Sequence, residues 1–240
     1  MSRRQFVIAL LVFFGLLFVF GGDVAWAQDG EEGPKSVSLW QLYLYGGIVG
    51  FILTALSAAS LGLGIEHALS LRRDQMVPPD LIGHIEQLFE EEEYEEVMNI
   101  CEEQPMMMTN VLAAGLPKLG TGWGNISEAM GEVANMEATK LNQKVSYIGL
   151  IASIAPLLGL FGTVTGMIGT FNTIATSPTA PKPAELAGGI QQALVTTCMG
   201  LMVAIPTTCL FFFFRNKVVR IVLEINAVVD ELMDRFREEA

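Results

Sequence analysis

The chain has 240 residues and a mass of 26.1 kDa, is 51% hydrophobic and only 17% charged, where soluble domains carry roughly 25% charged residues. With the apolar residues gathered into four long blocks, this composition excludes a purely water-soluble globule. A formal net charge of −12 makes nucleic acid a poor partner, because phosphate binding needs a basic face.

Residues 1–27 open with Arg3-Arg4, run apolar from Phe6 to Gly22 and close on Ala25-Trp26-Ala27, with small residues at the two positions a signal peptidase reads. A signal peptide cleaved after Ala27 is expected; an uncleaved anchor is the alternative, because this core is longer than the usual ~7–15 residues. Residues 28–39, with Asp29, Gly30, Glu31, Glu32, Gly33 and Pro34, have the composition of a flexible periplasmic linker. The second block predicts transmembrane helix 1 over 40–65, with Trp40, Tyr43 and Tyr45 anchoring its outer end.

Residues 66–144 hold most of the acid and read as a cytoplasmic helical domain broken at Pro78-Pro79, at Pro105 and at Gly120-Thr121-Gly122-Trp123-Gly124. The run Glu90-Glu91-Glu92-Glu93-Tyr94-Glu95-Glu96 is read as a solvated helix face, and Met106-Met107-Met108 as core filling. Asp80 is expected to cap a helix beginning at Leu81, and Asn125 or Ser127 one starting near Glu128. That last helix meets no stop signal before the third apolar block, so one helix far longer than the bilayer is predicted. His67, beside Glu66, and His84 have no metal-ligand spacing and are expected to be solvated or on a helix surface. No metal or other cofactor is expected. Cys101 lies in the acidic stretch; Cys198 and Cys209 are three helical turns apart, about 16 Å, which rules out a disulfide between them.

Transmembrane helix 2 is predicted over 145–173, a periplasmic loop over 174–187, helix 3 over 188–214 and a cytoplasmic amphipathic helix over 215–240, where Val218, Val219, Val222, Ile225, Val229, Leu232 and Phe236 recur at helical spacing. The basic residues set the orientation. Arg72, Arg73, Lys140, Lys144, Arg215, Lys217 and Arg220 fall on one side and only Lys35 and Lys182 on the other, which places the acidic domain and the C-terminus in the cytoplasm.

Helix 2 carries a stripe of small residues, Ala152, Ala155, Gly159, Gly162, Gly166, Gly169 and Thr173, at steps of three and four, beside a more polar line of Pro156, Thr163 and Thr170. Helix 3 repeats the pattern with Gly189, Ala193, Thr196, Thr197, Gly200, Ala204 and Thr207, plus Pro206. Small stripes let membrane helices approach closely, and packing is the simplest role for them. Between Ser146 and Phe214, Lys182 and Glu185 in the outer loop are the only ionisable side chains besides Tyr147 and two cysteines. If the chain moves protons or ions, hydroxyls there can line a wet path but do not titrate near neutral pH, so the titrating carboxylate would have to come from another chain.

The segments 155–167, Ala-Pro-Leu-Leu-Gly-Leu-Phe-Gly-Thr-Val-Thr-Gly-Met, then 185–194 and 197–206 resemble the ExbB/TolQ/MotA proton-channel family, and three crossings favour the ExbB/TolQ branch. The resemblance implies an all-α inner-membrane protein that couples the ion-motive force to work across the envelope, such as energised outer-membrane import. It also implies a homo-pentamer around an ExbD/TolR-type single-span partner that carries the titrating aspartate, with a TonB/TolA-type protein as a further partner. By position Thr163 and Thr197 match the family's pore threonines, and Gln192 stands where ExbB-like members commonly have glutamate. Together with Thr170 and Thr196 they form the expected ion pathway, while Gly159, Gly162, Gly166, Gly169, Gly200, Pro156 and Pro206 serve helix packing. No phosphate loop, nucleophile–base pair or nucleotide fingerprint points to an enzyme. A membrane scaffold or a small transporter subunit is the alternative, though the repeated halves and additional spans common in transporters are missing.

Overall fold

A computed structural model describes residues 46–178 and 183–237. Every regular element among them is helical: α1 (Gly47–Ser70), α2 (Arg73–Met76), α3 (Pro79–Glu90), α4 (Tyr94–Glu103), α5 (Met107–Gly115), α6 (Trp123–Thr176) and α7 (Pro183–Met233), with single 3₁₀ turns at Leu116–Lys118 and Asp234–Phe236. Three of them, α1, α6 and α7, are long and apolar enough to cross a membrane. The chain is an all-α membrane protein. The expected signal peptide, the linker and the Trp40, Tyr43 and Tyr45 belt lie outside the described residues.

The 54 residues of α6 and the 51 of α7 give lengths of about 81 and 77 Å, against a hydrocarbon core of about 30 Å. As the sequence predicts, nothing between the acidic stretch and the third apolar block stops α6. Its start differs from expectation. The helix begins at Trp123 because Gly120 (φ +81°) and Gly122 (φ +97°) take up the left-handed turn that a side chain resists. Asn125 and Ser127 are therefore already helical, and Asn125 Nδ2 donates back to the Thr121 carbonyl at 2.7 Å. Asp80 likewise sits inside the first turn of α3, not at its cap. Pro79, with its fixed φ and no N–H to satisfy, opens that helix, and the Asp80 carboxylate is left facing the positive end of the helix dipole.

The described residues form two compact units, one drawing on the chain up to Leu61 and on Ile148–Cys209, the other on Gly62–Tyr147 and the chain from Leu210 onward. In the second unit α3, α4 and α5 bury Leu81, Ile85, Leu88, Phe89, Val97, Ile100, Met107, Met108, Val111 and Leu112. The C-terminal part of α7 adds Val218, Ile225, Val229 and Leu232 to the buried set. Val219, expected on that face, is 47% exposed, since it lies one residue out of the periodicity. The acidic run is exposed but is not one helix face. Glu91, Glu92 and Glu93 form the turn between α3 and α4, with Glu92 at φ +59°. The tight reversal brings Phe89 within 6.2 Å of Tyr94, and both rings lie 5.7 Å from Phe236.

At the C-terminus Arg235 lies over the Phe89 ring and Arg237 over Trp123, each 5.3 Å from the centroid. Arg73 Nε donates to Glu224 Oε1 at 2.6 Å; this pair is largely solvated and contributes at most about 1 kcal/mol. Burial of Cys101 pushes its thiol from 9.0 up to about 11. His84 is exposed, as expected. His67 is not: it is 3% exposed, because it falls on the inward face of α1 with Gly64 rather than on its surface.

Candidate ion pathway and its small-residue seam

Within the first unit, glycine and alanine bring α6 and α7 to backbone contact. A methyl group on Gly200 would stand 2.7 Å from the Ala155 carbonyl oxygen, and one on Gly159 would stand 3.1 Å from the Thr196 carbonyl oxygen and the Thr197 Cα. One on Gly162 would meet Thr196 Cβ at 2.6 Å, and one on Gly166 the Ala193 Cβ at 3.1 Å. At Gly200 and Gly159 the added Cβ would collide with backbone, which cannot move aside as a flexible side chain can, whereas at Gly162 it would collide with the Thr196 side chain. Leu53 of α1 packs with Ala155, Val203 and Ala204 at the base of the seam. Gly169 departs from the expectation of a stripe in continuous contact: a methyl group there would meet nothing within 4 Å. Gly169 is turned away from α7 and is open among the described residues, while the α6–α7 contact continues beside it at Thr170 against Gly189.

Five polar residues were expected along the path, and the fold sorts them into two groups. Thr196 and Thr170, 2% and 8% exposed, lie in the seam and do not line an open surface. The Thr196 hydroxyl donates to the Ala193 carbonyl at 2.8 Å, and Thr170 donates to Gly166 at 3.0 Å beneath Gly189. The hydroxyl satisfies a carbonyl one turn back while the methyl fills the gap between helices, so both read as packing residues here. Thr163 and Thr197 are only half-buried. Thr163 donates to Leu160 at 2.7 Å, and Thr197 reaches across the seam to the Gly159 carbonyl at 3.2 Å.

With its proton committed to a carbonyl, each of these two hydroxyls keeps oxygen lone pairs that can accept a further hydrogen bond. Gln192 is exposed. Its Nε2 lies 3.3 Å from where a Gly47 Cβ would be, so the turn into α1, with Gly47 at φ +55°, leaves room for that amide. Sequence reasoning had no signal for this contact, which joins residues far apart in the chain.

Pro156 is half-buried and Pro206 buried, both inside unbroken helices. Each deprives the carbonyl four residues earlier, Ala152 or Met202, of its helical donor. The opposite faces are apolar and open: Leu157, Leu160, Phe161 and Ile168 on α6, and Leu194, Leu201 and Ile205 on α7, are all exposed. Such surface suits lipid or another chain. Among the described residues no three His, Cys, Asp or Glu side chains are grouped to hold a metal ion.

Residues 102–227, more than half of the chain, match the sequence profile of the MotA/TolQ/ExbB proton channel family. The chain belongs to that family. A comparison with curated proteins finds no match. The matched stretch contains all of α6 and α7 as far as Ala227, so the whole seam and the two half-open threonines lie inside it. As a MotA/TolQ/ExbB member the protein is an ion-channel subunit of a motor-type membrane complex that works with partner proteins.

Proposed function

We propose that this MotA/TolQ/ExbB member is the proton-channel subunit of an ExbB/TolQ-type inner-membrane motor, a pentamer whose α6 and α7 surround an ExbD/TolR-type helix bearing the titrating aspartate. The observation that carries this reading is a mismatch. Two half-open threonines and an exposed glutamine present acceptors on the two longest helices, yet from Ile148 to Phe214 those helices contribute no carboxylate except Glu185 near the start of α7. An isolated charge in the hydrocarbon core costs several kcal/mol, and a hydroxyl cannot carry the proton in its place. The acid therefore belongs to the partner, and this chain supplies the polar wall against which it is loaded and unloaded.

In this arrangement Thr163 and Thr197 hold water beside the partner's aspartate, Gln192 offers a neutral polar contact, and Thr170 and Thr196 set the spacing of the wall from behind. The α6 and α7 extensions beyond the bilayer transmit the resulting motion, and a TonB/TolA-type protein receives it. Proteoliposomes test the reading directly. Those with this chain alone are expected to show no proton flux above background, and those with an ExbD/TolR-type partner are expected to conduct. Robust flux without the partner would favour an independent channel or transporter. No flux with the partner, once assembly is verified, would favour a scaffold.

A further inference from the structure

Both ring nitrogens of His67 are buried and find no hydrogen-bond partner among the described residues. In the second unit the ring packs edge-to-face against Phe214 of α7 at 5.7 Å, and Gly64, one turn earlier, closes on Leu210. A neutral imidazole placed in this way is tolerated as an aromatic wedge. An imidazolium is not, because a buried charge needs a counter-ion or compensating hydrogen bonds.

Among the described residues neither ring nitrogen has a hydrogen-bond partner that could supply one. Of the ionisable groups on the neighbouring turns, Glu66 and Arg72 lie on the histidine's own segment, Arg215 and Lys217 on α7, and Lys144 and Tyr147 on α6. Of these Glu66 alone carries a carboxylate; it is exposed and stands about 100° around the helix from His67. The Phe214 face supplies a cation–π attraction, which is weaker than the cost of taking an imidazolium out of water.

We propose that His67 is a pH-sensitive latch: neutral, it wedges the C-terminal end of α1 against α7, and protonated it releases that contact so that the ring reaches water. Histidine is the side chain whose ordinary titration falls between about pH 5 and 8, and the chain has two of them. The exposed His84 is a built-in control. The latch is a property of the fold and does not depend on what the protein conducts.

Hydrogen exchange of the full chain in lipid nanodiscs, corrected for the intrinsic pH dependence, reads the opening. Peptides around His67 and Phe214 are expected to lose protection by about tenfold or more between pH 8 and about pH 5.5. His84→Phe should keep that response. His67→Phe, which retains the ring but cannot take up a proton, should abolish it; His67→Asn serves as a second neutral variant should the first fail to fold. A wild-type chain without the response, or the same response in either neutral variant, overturns the proposal.

Discussion

Thr163 and Thr197 differ from the other hydroxyls of the long helices in a way that chemistry can separate. Thr→Ser keeps the oxygen and loses a methyl, whereas Thr→Val keeps the shape and loses the oxygen. If the half-open threonines hold water, Thr163→Ser and Thr197→Ser should retain most ion-driven activity, and the two valine variants should lose about tenfold or more while still assembling. At the seam threonine Thr196 the order should reverse, because valine still fills the gap that its methyl fills now. Fully active Thr163→Val and Thr197→Val proteins would remove both from the pathway. Cys101 allows a pH prediction of the same local kind. Burial raises its thiol from 9.0 to about 11, so the unfolded chain ionises first as pH climbs. The stability this thiol contributes is complete below about pH 9 and is lost towards pH 11. Iodoacetamide at pH 8 should spare Cys101 in the native protein and label it once denaturant is added; rapid native labelling would contradict the burial.

Contact between α6 and α7 rests on backbones meeting, so its weak points can be ranked from the space at each glycine. Gly200→Ala puts a methyl 2.7 Å from the Ala155 carbonyl oxygen, a clash relieved only by moving the helices apart, and is expected to cost about 1–3 kcal/mol. Thermal unfolding in detergent should show it as a lowered midpoint. Gly169→Ala adds a methyl that meets none of the described residues within 4 Å and should be neutral or stabilise the helix by up to about 1 kcal/mol. The open position at Gly169 makes a further distinction. Gly169→Leu should leave the stability of the protomer intact but shift the assembled complex on a sizing column, whereas Gly162→Leu should disturb both. Equal behaviour of the two leucine variants would mean that the open position is not an interface.

At the scale of the molecule, orientation decides which half of each long helix meets the cytoplasm. Seven basic residues flank the apolar blocks on one side and two on the other, a bias that membrane insertion reads. A reporter fused after Arg73 or Arg220 should therefore behave as cytoplasmic, and one fused near Pro181 as exported. The opposite result at any of these sites would invert the assignment, with the expected inner-membrane location and the coupling scheme built on it.

Helix identity was legible from the residues alone because it is a local property: apolar blocks longer than a bilayer, proline and glycine breaks, and the absence of a stop signal before Ile148 predicted α1, α6 and α7 as continuous helices. The small stripe was legible for the same reason, since a 3.6-residue period is written in one segment. What it touches was not. That Gly159, Gly162 and Gly200 face α7 or α6 while Gly169 turns away from α7, that Thr170 and Thr196 turn into the seam while Thr163 and Thr197 stay half-open, and that Gln192 lies beside Gly47 all depend on how one helix is rotated against another. The same holds for His67. Its neighbours in sequence, Glu66 and Arg72, suggest a polar surface, and only packing of α1 beside Phe214 places its ring inside, because burial is set by the partner helix and not by the residues on either side.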